Sequence, residues 1–543
     1  MNGRILHLKI SDKALSLQNI CIASLIYEYV SEGKEMKVCL INPCPIDKNK
    51  NDYSSSEHLG LAYIASSLKE DGHIVTLLNC GVNNITMKDV YSSIRTENYD
   101  AIGMTYYYGN RVYVSRIASY IKRFNNNIFT FVGGYLPTLE SDKLHSDFDF
   151  IDCMVIGEGE ITAKSIINNL KNGLWKNTPG IIYKQENQVI NTGCTSSVDN
   201  LDLLPFPLRI NSESKRSRII TSRGCRGACV FCCMEEFYKK NKCKRIRRRS
   251  PQNVVDEIEE LIKSKNTKLI TISDDNFPLL TENNKIWLRE FCDILSQKSI
   301  QMNFSCELRA DDIINGIQDL VLFKNHGLKI IFVGIESFLD HHLSFYNKKV
   351  DYNKNVKTLY LLDDNDISYS FGYLLFNPTT TIEDIYDTCK SYKNFLYERE
   401  NKCILNPISY CTVIAYNGTR LKKYIDDNNL LSKDFKQYEI IDKRAERCCQ
   451  LIQKWKKYIS PFYYEKINYY KFYNECEQGT EKNHIELIYN NISILDVEVL
   501  EKITSLVVKD NYETSEANEI FESYYEKIKN EYESAASEIK MFL

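Results

Sequence analysis

Residues 36 to about 172 alternate short β-branched runs with amphipathic stretches, and this alternation limits the possible folds of the 543-residue chain more than any other property. Residues 36–42 read as a strand, and residues 59–69 carry apolar side chains at helical spacing until Asp71-Gly72-His73 ends the pattern. The cycle repeats with strands at 73–78, 99–104, 128–132 and 150–156 and a helix at 112–124. Strands that alternate with helices pair in parallel and build a doubly wound sheet. Ligands of such sheets sit outside the carboxyl ends of the strands. Those ends here carry Tyr106-Tyr107-Tyr108-Gly109, Gly133-Gly134-Tyr135 and Gly157-Glu158-Gly159-Glu160.

Residues 180–207 read as a hairpin and a linker that closes in Leu204-Pro205-Phe206-Pro207. A second β/α series follows, with strands expected at 218–221, 269–273, 302–307, 329–333, 368–376 and 409–416. Six such units fit a partial (β/α)6 barrel with its chemistry at the strand carboxyl ends. Beyond about residue 430 the pattern is helical and mixed in charge. Ile520, Phe521, Tyr524, Tyr525, Ile528, Tyr532 and Ile539 form an apolar stripe there that reads as core packing. The fold class is therefore α/β, divided into an extension (1–35), a Rossmann-like unit with its hairpin (36–200), the barrel (201–428) and a helical region (429–543).

The loop after the first barrel strand contains Cys225, Cys229 and Cys232 in a C-x3-C-x2-C spacing, with Phe231 before the third cysteine. A [4Fe-4S] cluster takes four thiolates when fully ligated by cysteine, so three leave one iron open. Cys233 and Cys243 could instead complete a zinc site with members of the loop. An auxiliary cluster could draw on Cys39, Cys44, Cys80 or Cys153. Of the nineteen cysteines, isolated ones such as Cys292, Cys306, Cys389 and Cys411 read as small buried hydrophobes. An odd count in so long a chain does not describe a disulfide scaffold and suits a reducing compartment.

A net charge of −3 gives no general attraction to polyanions, so no nucleic-acid partner is expected. The basic run 239–249 lacks interleaved aromatic residues and reads as a solvated loop with one anchoring arginine. No apolar run nears the ~18 residues of a membrane span. The first residues lack the pattern of a secretory signal, and a cytoplasmic location is expected.

The order of these segments resembles that of radical S-adenosylmethionine (SAM) enzymes with an N-terminal cobalamin-binding domain. The resemblance covers roughly residues 36–425. It rests on Leu59-Gly60-Leu61-Ala62-Tyr63, Gly133-Gly134, Gly157-Glu158-Gly159-Glu160, the Cys225 loop, Arg247-Arg248-Arg249-Ser250-Pro251, Asp274-Asp275-Asn276, Cys306-Glu307-Leu308-Arg309, Gly334-Ile335-Glu336-Ser337 and Tyr416-Asn417-Gly418-Thr419. It implies a [4Fe-4S] cluster on Cys225, Cys229 and Cys232, SAM on the open iron, and cobalamin. Phe231 would shield the cluster. Asp274, Asp275, Glu307, Arg309, Gly334 and Glu336 would surround SAM. Tyr107, Gly133, Gly134, Gly157, Glu158 and Gly159 would approach cobalamin. Residues 42–59 carry no D-x-H-x-x-G motif, and His58 reads as a helix-start residue, which leaves the lower face of cobalt unassigned.

The resemblance further implies a C-methyltransferase. A 5′-deoxyadenosyl radical would take hydrogen from an unactivated carbon of a peptide or natural-product intermediate, and methylcobalamin would supply the methyl group. An external donor such as flavodoxin or ferredoxin would provide electrons. A cyclase or rearranging enzyme with the same cofactors, and a non-catalytic cobalamin-binding protein, are the alternatives. Substrate choice is expected in the barrel-mouth loops and the C-terminal helices.

Overall fold

The computed structural model describes residues 35–43, 57–141, 144–193, 197–210, 215–240, 246–397, 412–432, 438–475, 480–509 and 514–542. The first sheet consists of β1 (Lys37–Asn42), β2 (Ile74–Asn79), β3 (Ala101–Thr105), β4 (Phe129–Gly133), β5 (Cys153–Val155), β6 (Ile181–Gln185) and β7 (Gln188–Asn191). Its order is β2-β1-β3-β4-β5-β6-β7, and the first five strands are parallel. Strands covered on both faces need continuous apolar runs. Val38, Cys39, Leu40 and Ile41 of β1 are all fully buried. The helices Leu59–Glu70 and Glu160–Asn168 bury Leu61, Ala65, Leu68, Ile166 and Ile167 in the core of one face. The helices Met87–Thr96 and Arg111–Phe124 bury Val90, Ile94, Val114, Ile117 and Ile121 in that of the other. The chain reverses its direction of strand addition between β1 and β3, which opens a crevice at their carboxyl ends. The expected hairpin is present as β6 and β7, which pair antiparallel at the sheet edge.

The second series begins with β8 (Arg216–Ile219), followed by the short antiparallel pair β9 (Ser222–Arg223) and β10 (Arg247–Arg248). It continues through β11 (Leu269–Ile272), β12 (Asn303–Arg309), β13 (Leu328–Glu336) and β14 (Ser368–Tyr373). These five longer strands run parallel in the order β8-β11-β12-β13-β14, so each follows its predecessor around an incomplete barrel. Of the sixth expected segment, residues 409–411 lie outside the described residues. Thr412 meets Phe376 through a single parallel bridge. The outer helices carry ordinary boundary chemistry. Pro251–Lys265 starts after Ser250, whose hydroxyl accepts from the Asn253 amide, and ends at Asn266 in the left-handed conformation (φ 49°). Phe277, Trp287, Phe291, Phe304 and Phe323 fill the core behind β11 and β12.

The C-terminal region forms three helices, Lys443–Glu475, Thr480–Val508 and Thr514–Phe542. Phe521, Tyr524 and Ile528 of the expected stripe are buried, and the Phe521 ring stacks on Trp455 with centroids 5.5 Å apart. The side chains of Tyr532 and Ile539 lie outside the described residues. Tyr386 and Lys393 of the barrel helix Ile382–Tyr397 bond to Ser505 and Glu501, which fixes the C-terminal helices to the barrel's flank.

Candidate active site

A cavity of about 830 Å³ lies between the carboxyl ends of the first sheet and the start of the barrel. The first sheet contributes Tyr107, Gly133, Gly134, Gly157, Glu158 and Gly159 to its wall; the barrel side contributes Ser222, Arg223, Cys233 and Asp275. Gly134 follows β4 at φ +117°, a conformation that side-chain-bearing residues rarely adopt. A Cβ there would stand 3.2 Å from the Tyr106 carbonyl oxygen. The turn thus brings bare backbone to the cavity. His58 opens the helix Leu59–Glu70, as the sequence suggests, and its Nδ1 accepts from the Leu61 amide at 3.1 Å. That bond places the proton of the neutral ring on Nε2.

Glu158 lines the cavity with its carboxylate held by arginines of the barrel side. Arg247 grips both oxygens at 2.6 and 2.9 Å, and Arg223 Nη1 lies 3.2 Å away. Arg223 also donates to Glu160 at 2.6 Å. Burial alone would raise the Glu158 carboxyl, but the bonds and charges of these arginines hold it below its ordinary value. Lys239 of the basic run is exposed and residues 241–245 lie outside the described residues, but the end of the run differs from the expected solvated loop. Arg247, Arg248 and Arg249 are largely buried: Arg248 lies over the Trp287 ring at 3.7 Å, and Arg249 pairs with Glu257. The carboxylate partner of Arg247 is distant in the chain and the Arg248 partner is aromatic, neither of which a local pattern reports.

Cys225, Cys229 and Cys232 follow β9 on one partly exposed loop, and none is in a disulfide. The barrel holds this loop through its backbone. Gly224 N–H donates to Asp275 Oδ2 at 2.8 Å, Val230 N–H to the Tyr346 carbonyl at 3.1 Å, and Asn347 Nδ2 to the Ala228 carbonyl at 2.6 Å. The Phe231 ring meets Tyr346 edge-on at 5.5 Å. Arg309 Nη1 lies 3.6 Å from Cys229 Sγ, and the Gly227 amide donates to Cys225 Sγ at 3.3 Å. Burial pushes the Cys232 thiol up to about 12 and raises that of Cys225. Bound iron would displace these protons and turn the donors toward thiolate charge. Three unbridged thiols on one loop, beside a guanidinium and an amide donor, fit an iron–sulfur cluster.

The strand-end residues divide. Asp274 is buried, and its carboxylate accepts from the amides and hydroxyls of both Thr221 and Ser222. Asp275 faces the cavity and accepts from Gly224 N–H and the Tyr238 hydroxyl. Burial raises both carboxyls in spite of these donors. Glu307 is exposed on β12. Glu336 closes β13 at φ +65° beside a register shift, with Lys348 Nζ 3.1 Å from its carboxylate. A Cβ on Gly334 would lie 2.9 Å from Glu336 Oε1, so glycine leaves room for that ion pair. Sequence reasoning missed Arg218, Tyr238, Lys348 and the Arg223–Arg247 pair. The alternation Arg216-Ser217-Arg218 is the signal that places two arginines on one face of β8, where Arg218 Nε donates to Ser273 Oγ at 2.8 Å.

The alternative cysteine sites have a simpler reading. Cys39, Cys80 and Cys153 are buried in the first sheet's cores, as Cys292, Cys306 and Cys389 are in the barrel. Cys44, Cys243 and Cys411 lie outside the described residues. Among those residues, no helix is long and apolar enough to cross a membrane.

A doubly wound sheet joined through a shared cavity to an incomplete barrel, with C-x3-C-x2-C after the first barrel strand, defines a cobalamin-dependent radical SAM enzyme. The chain belongs to this family: residues 51–167 match the B12 binding domain and residues 219–391 the radical SAM superfamily. Its cofactors are accordingly cobalamin, SAM and a [4Fe-4S] cluster. It is 26% identical over 452 residues to an uncharacterized methyltransferase of Pyrococcus horikoshii, covering 80% of this chain and 94% of the relative. It is 24% identical over 396 residues to the anaerobic magnesium-protoporphyrin IX monomethyl ester cyclase of Rubrivivax gelatinosus, covering 70% and 68% of the two chains. The structure of the cobalamin-dependent S-adenosylmethionine radical enzyme OxsB, with aqua-cobalamin and S-adenosylmethionine bound, superposes with a TM-score of 0.74 at 16% identity, over 94% of this chain and 81% of OxsB. That likeness is one of fold.

Proposed function

We propose that this protein is a C-methyltransferase acting on an unactivated carbon of a biosynthetic peptide or natural-product intermediate. The observation that carries the reading is the shared cavity, whose wall joins the glycine turns at Gly133-Gly134 and Gly157 to Cys233, the residue directly after the third loop cysteine. When bound, the three cofactors supply a radical at the substrate carbon and the methyl group that the carbon accepts. In this reading Cys225, Cys229 and Cys232 bind iron, and Phe231 excludes water from it. Arg309 faces negative charge at the cluster, while Asp275, Glu307 and Glu336 hold the amino group and ribose of SAM. Asp274 acts from behind by fixing the strand end that leads into the loop. Tyr107 and the glycine turns lie against cobalamin, with Glu158 held by its arginines. Tyr108 and Tyr416, whose rings meet at 5.5 Å, form the side from which substrate enters. An external flavodoxin- or ferredoxin-type donor supplies electrons in a reducing cytoplasm. The segments 36–200, 201–428 and 429–543 are the corresponding functional units.

The test is anaerobic reconstitution with iron, sulfide and hydroxocobalamin, followed by desalting and incubation with SAM and a reductant. Retained cobalamin together with 5′-deoxyadenosine supports the reading, and cleavage without retained cobalamin overturns it. The similarity to a cyclase favours one second reading, a ring-forming reaction without net methylation. Product mass separates the two, because methylation adds one methylene equivalent.

A further inference from the structure

We propose that His341, His342 and Asp384 form a binding site for one zinc-type divalent cation, separate from the cysteine loop. His341 and His342 lie on the helix Asp340–Phe345 that follows β13, and Asp384 lies in the first turn of the helix Ile382–Tyr397 that follows β14. One ligand atom from each falls within 4.8 Å of the others. His341 Nε2 is 2.8 Å from Asp384 Oδ1, and His342 Nε2 is 3.3 Å from Oδ2. Tetrahedral zinc, with bonds of about 2.0–2.1 Å, spaces its ligand atoms ~3.3 Å apart.

The decisive atom is His342 Nε2. The His342 side chain is only 1% exposed, and this nitrogen makes no hydrogen bond although it stands at the carboxylate. An ordinary ion pair would use one imidazole and align its N–H. Here two imidazoles converge on one carboxylate, His341 at Oδ1 and His342 at Oδ2, and the buried one makes no hydrogen bond there. The carboxylate is itself oriented: Oδ2 accepts from the Thr381 amide at 2.8 Å, and the Asp384 amide donates to Thr381 Oγ1 at 3.1 Å. Such outer contacts accompany metal-binding carboxylates. His341 is 62% exposed, so an ion can enter and water can take the fourth position. Two ring nitrogens and one oxygen suit zinc, whereas calcium and magnesium favour all-oxygen sites.

The site occupies a useful place. The helix Asp340–Phe345 leads into Tyr346, Asn347 and Lys348, whose groups bond to Val230, Ala228 and Arg309 respectively. A bound ion would tie this support of the cysteine loop to the next barrel helix.

The test uses the full chain carrying C225A/C229A/C232A, so that the loop thiols cannot take up the probe. Zinc per chain is measured after dialysis, and cobalt(II) serves as the spectroscopic probe. The expected result is one zinc per chain and tetrahedral cobalt bands without a thiolate charge-transfer band. H341A, at an exposed position that cannot unsettle the core, should weaken binding at least about tenfold. D384N should do the same with an unchanged far-ultraviolet circular dichroism spectrum. Absence of binding, a thiolate charge-transfer band, or affinity undiminished in H341A would overturn the proposal.

Discussion

Arg247 and Glu158 lock together across the boundary between the first sheet and the barrel, two guanidinium nitrogens on two carboxylate oxygens at 2.6 and 2.9 Å. Their side chains are 1% and 9% exposed. Glu158 lines the cavity between the glycine turns Gly157 and Gly159, so the pair ties that wall of the first sheet to the barrel. Two buried charges gain little net stability from each other, but either one left alone is costly.

Replacement of Arg247 by methionine leaves the Glu158 carboxylate with Arg223 alone and should lower stability by less than the ~3–5 kcal/mol of a fully orphaned charge, read as a lower urea midpoint. The double change E158L/R247M should recover much of that loss, because it removes the under-paired carboxylate while Arg223 keeps Glu160 as its partner. An R247M midpoint equal to that of the unaltered protein would show that Arg223 alone satisfies the carboxylate.

Acid should act through His58. Burial lowers this imidazole from its ordinary value to about 4. An unfolded chain takes up the proton near pH ~6.5, whereas the folded ring refuses it until about pH 4. Stability contributed by the neutral ring is thus complete above ~6.5 and declines as pH falls toward 4. His58→Asn keeps an acceptor for the Leu61 amide and removes the titration. Comparison of urea midpoints at pH about 7 and about 5 should show a smaller decline in the variant. Equal declines would assign the acid sensitivity to carboxylates alone.

Much of this architecture was legible because parallel strands announce themselves: the run Val38 to Ile41 can only be covered on both faces. The helix Met87–Thr96 was not read, since it is short and buries only Val90 and Ile94; its one clear mark was the Thr86–Asp89 capping box. The arginine run misled for a different reason. Glu158 lies 89 residues from Arg247, and no local pattern reports a partner at that distance. The adjacent carboxylates Asp274 and Asp275 looked equivalent in sequence. Successive side chains at a strand end leave on opposite sides, and only the fold decides which one meets the cavity.

The cysteine assignment makes a sharp contrast. After anaerobic reconstitution, C225A, C229A and C232A should each fall from about four irons per chain to near none. C306A should keep its iron, because Cys306 is buried in the barrel core and its thiol is held well above the ordinary range by burial. Colorimetric iron and the cluster's visible absorption measure both. Iron loss in C306A with the fold intact would mean that the cluster recruits a cysteine from the core.

Asp274 separates a supporting role from a ligand role. Oδ1 accepts from the amides of Thr221 and Ser222 at 2.6 and 3.0 Å, and Oδ2 from their hydroxyls at 2.5 and 2.7 Å. Hydroxyls can reverse and accept; amides cannot. Asp274→Asn can keep its oxygen toward the two amides and turn its NH2 toward the two hydroxyls, so the strand end should survive with iron uptake near that of the unaltered protein. Asp274→Ala leaves both buried amides unpaired, at about 1–3 kcal/mol each, and should lose stability and iron together. If Asp274 instead bound the amino group of SAM, D274N would keep its fold and iron yet lose SAM affinity in equilibrium dialysis, which is the outcome that would reverse this assignment.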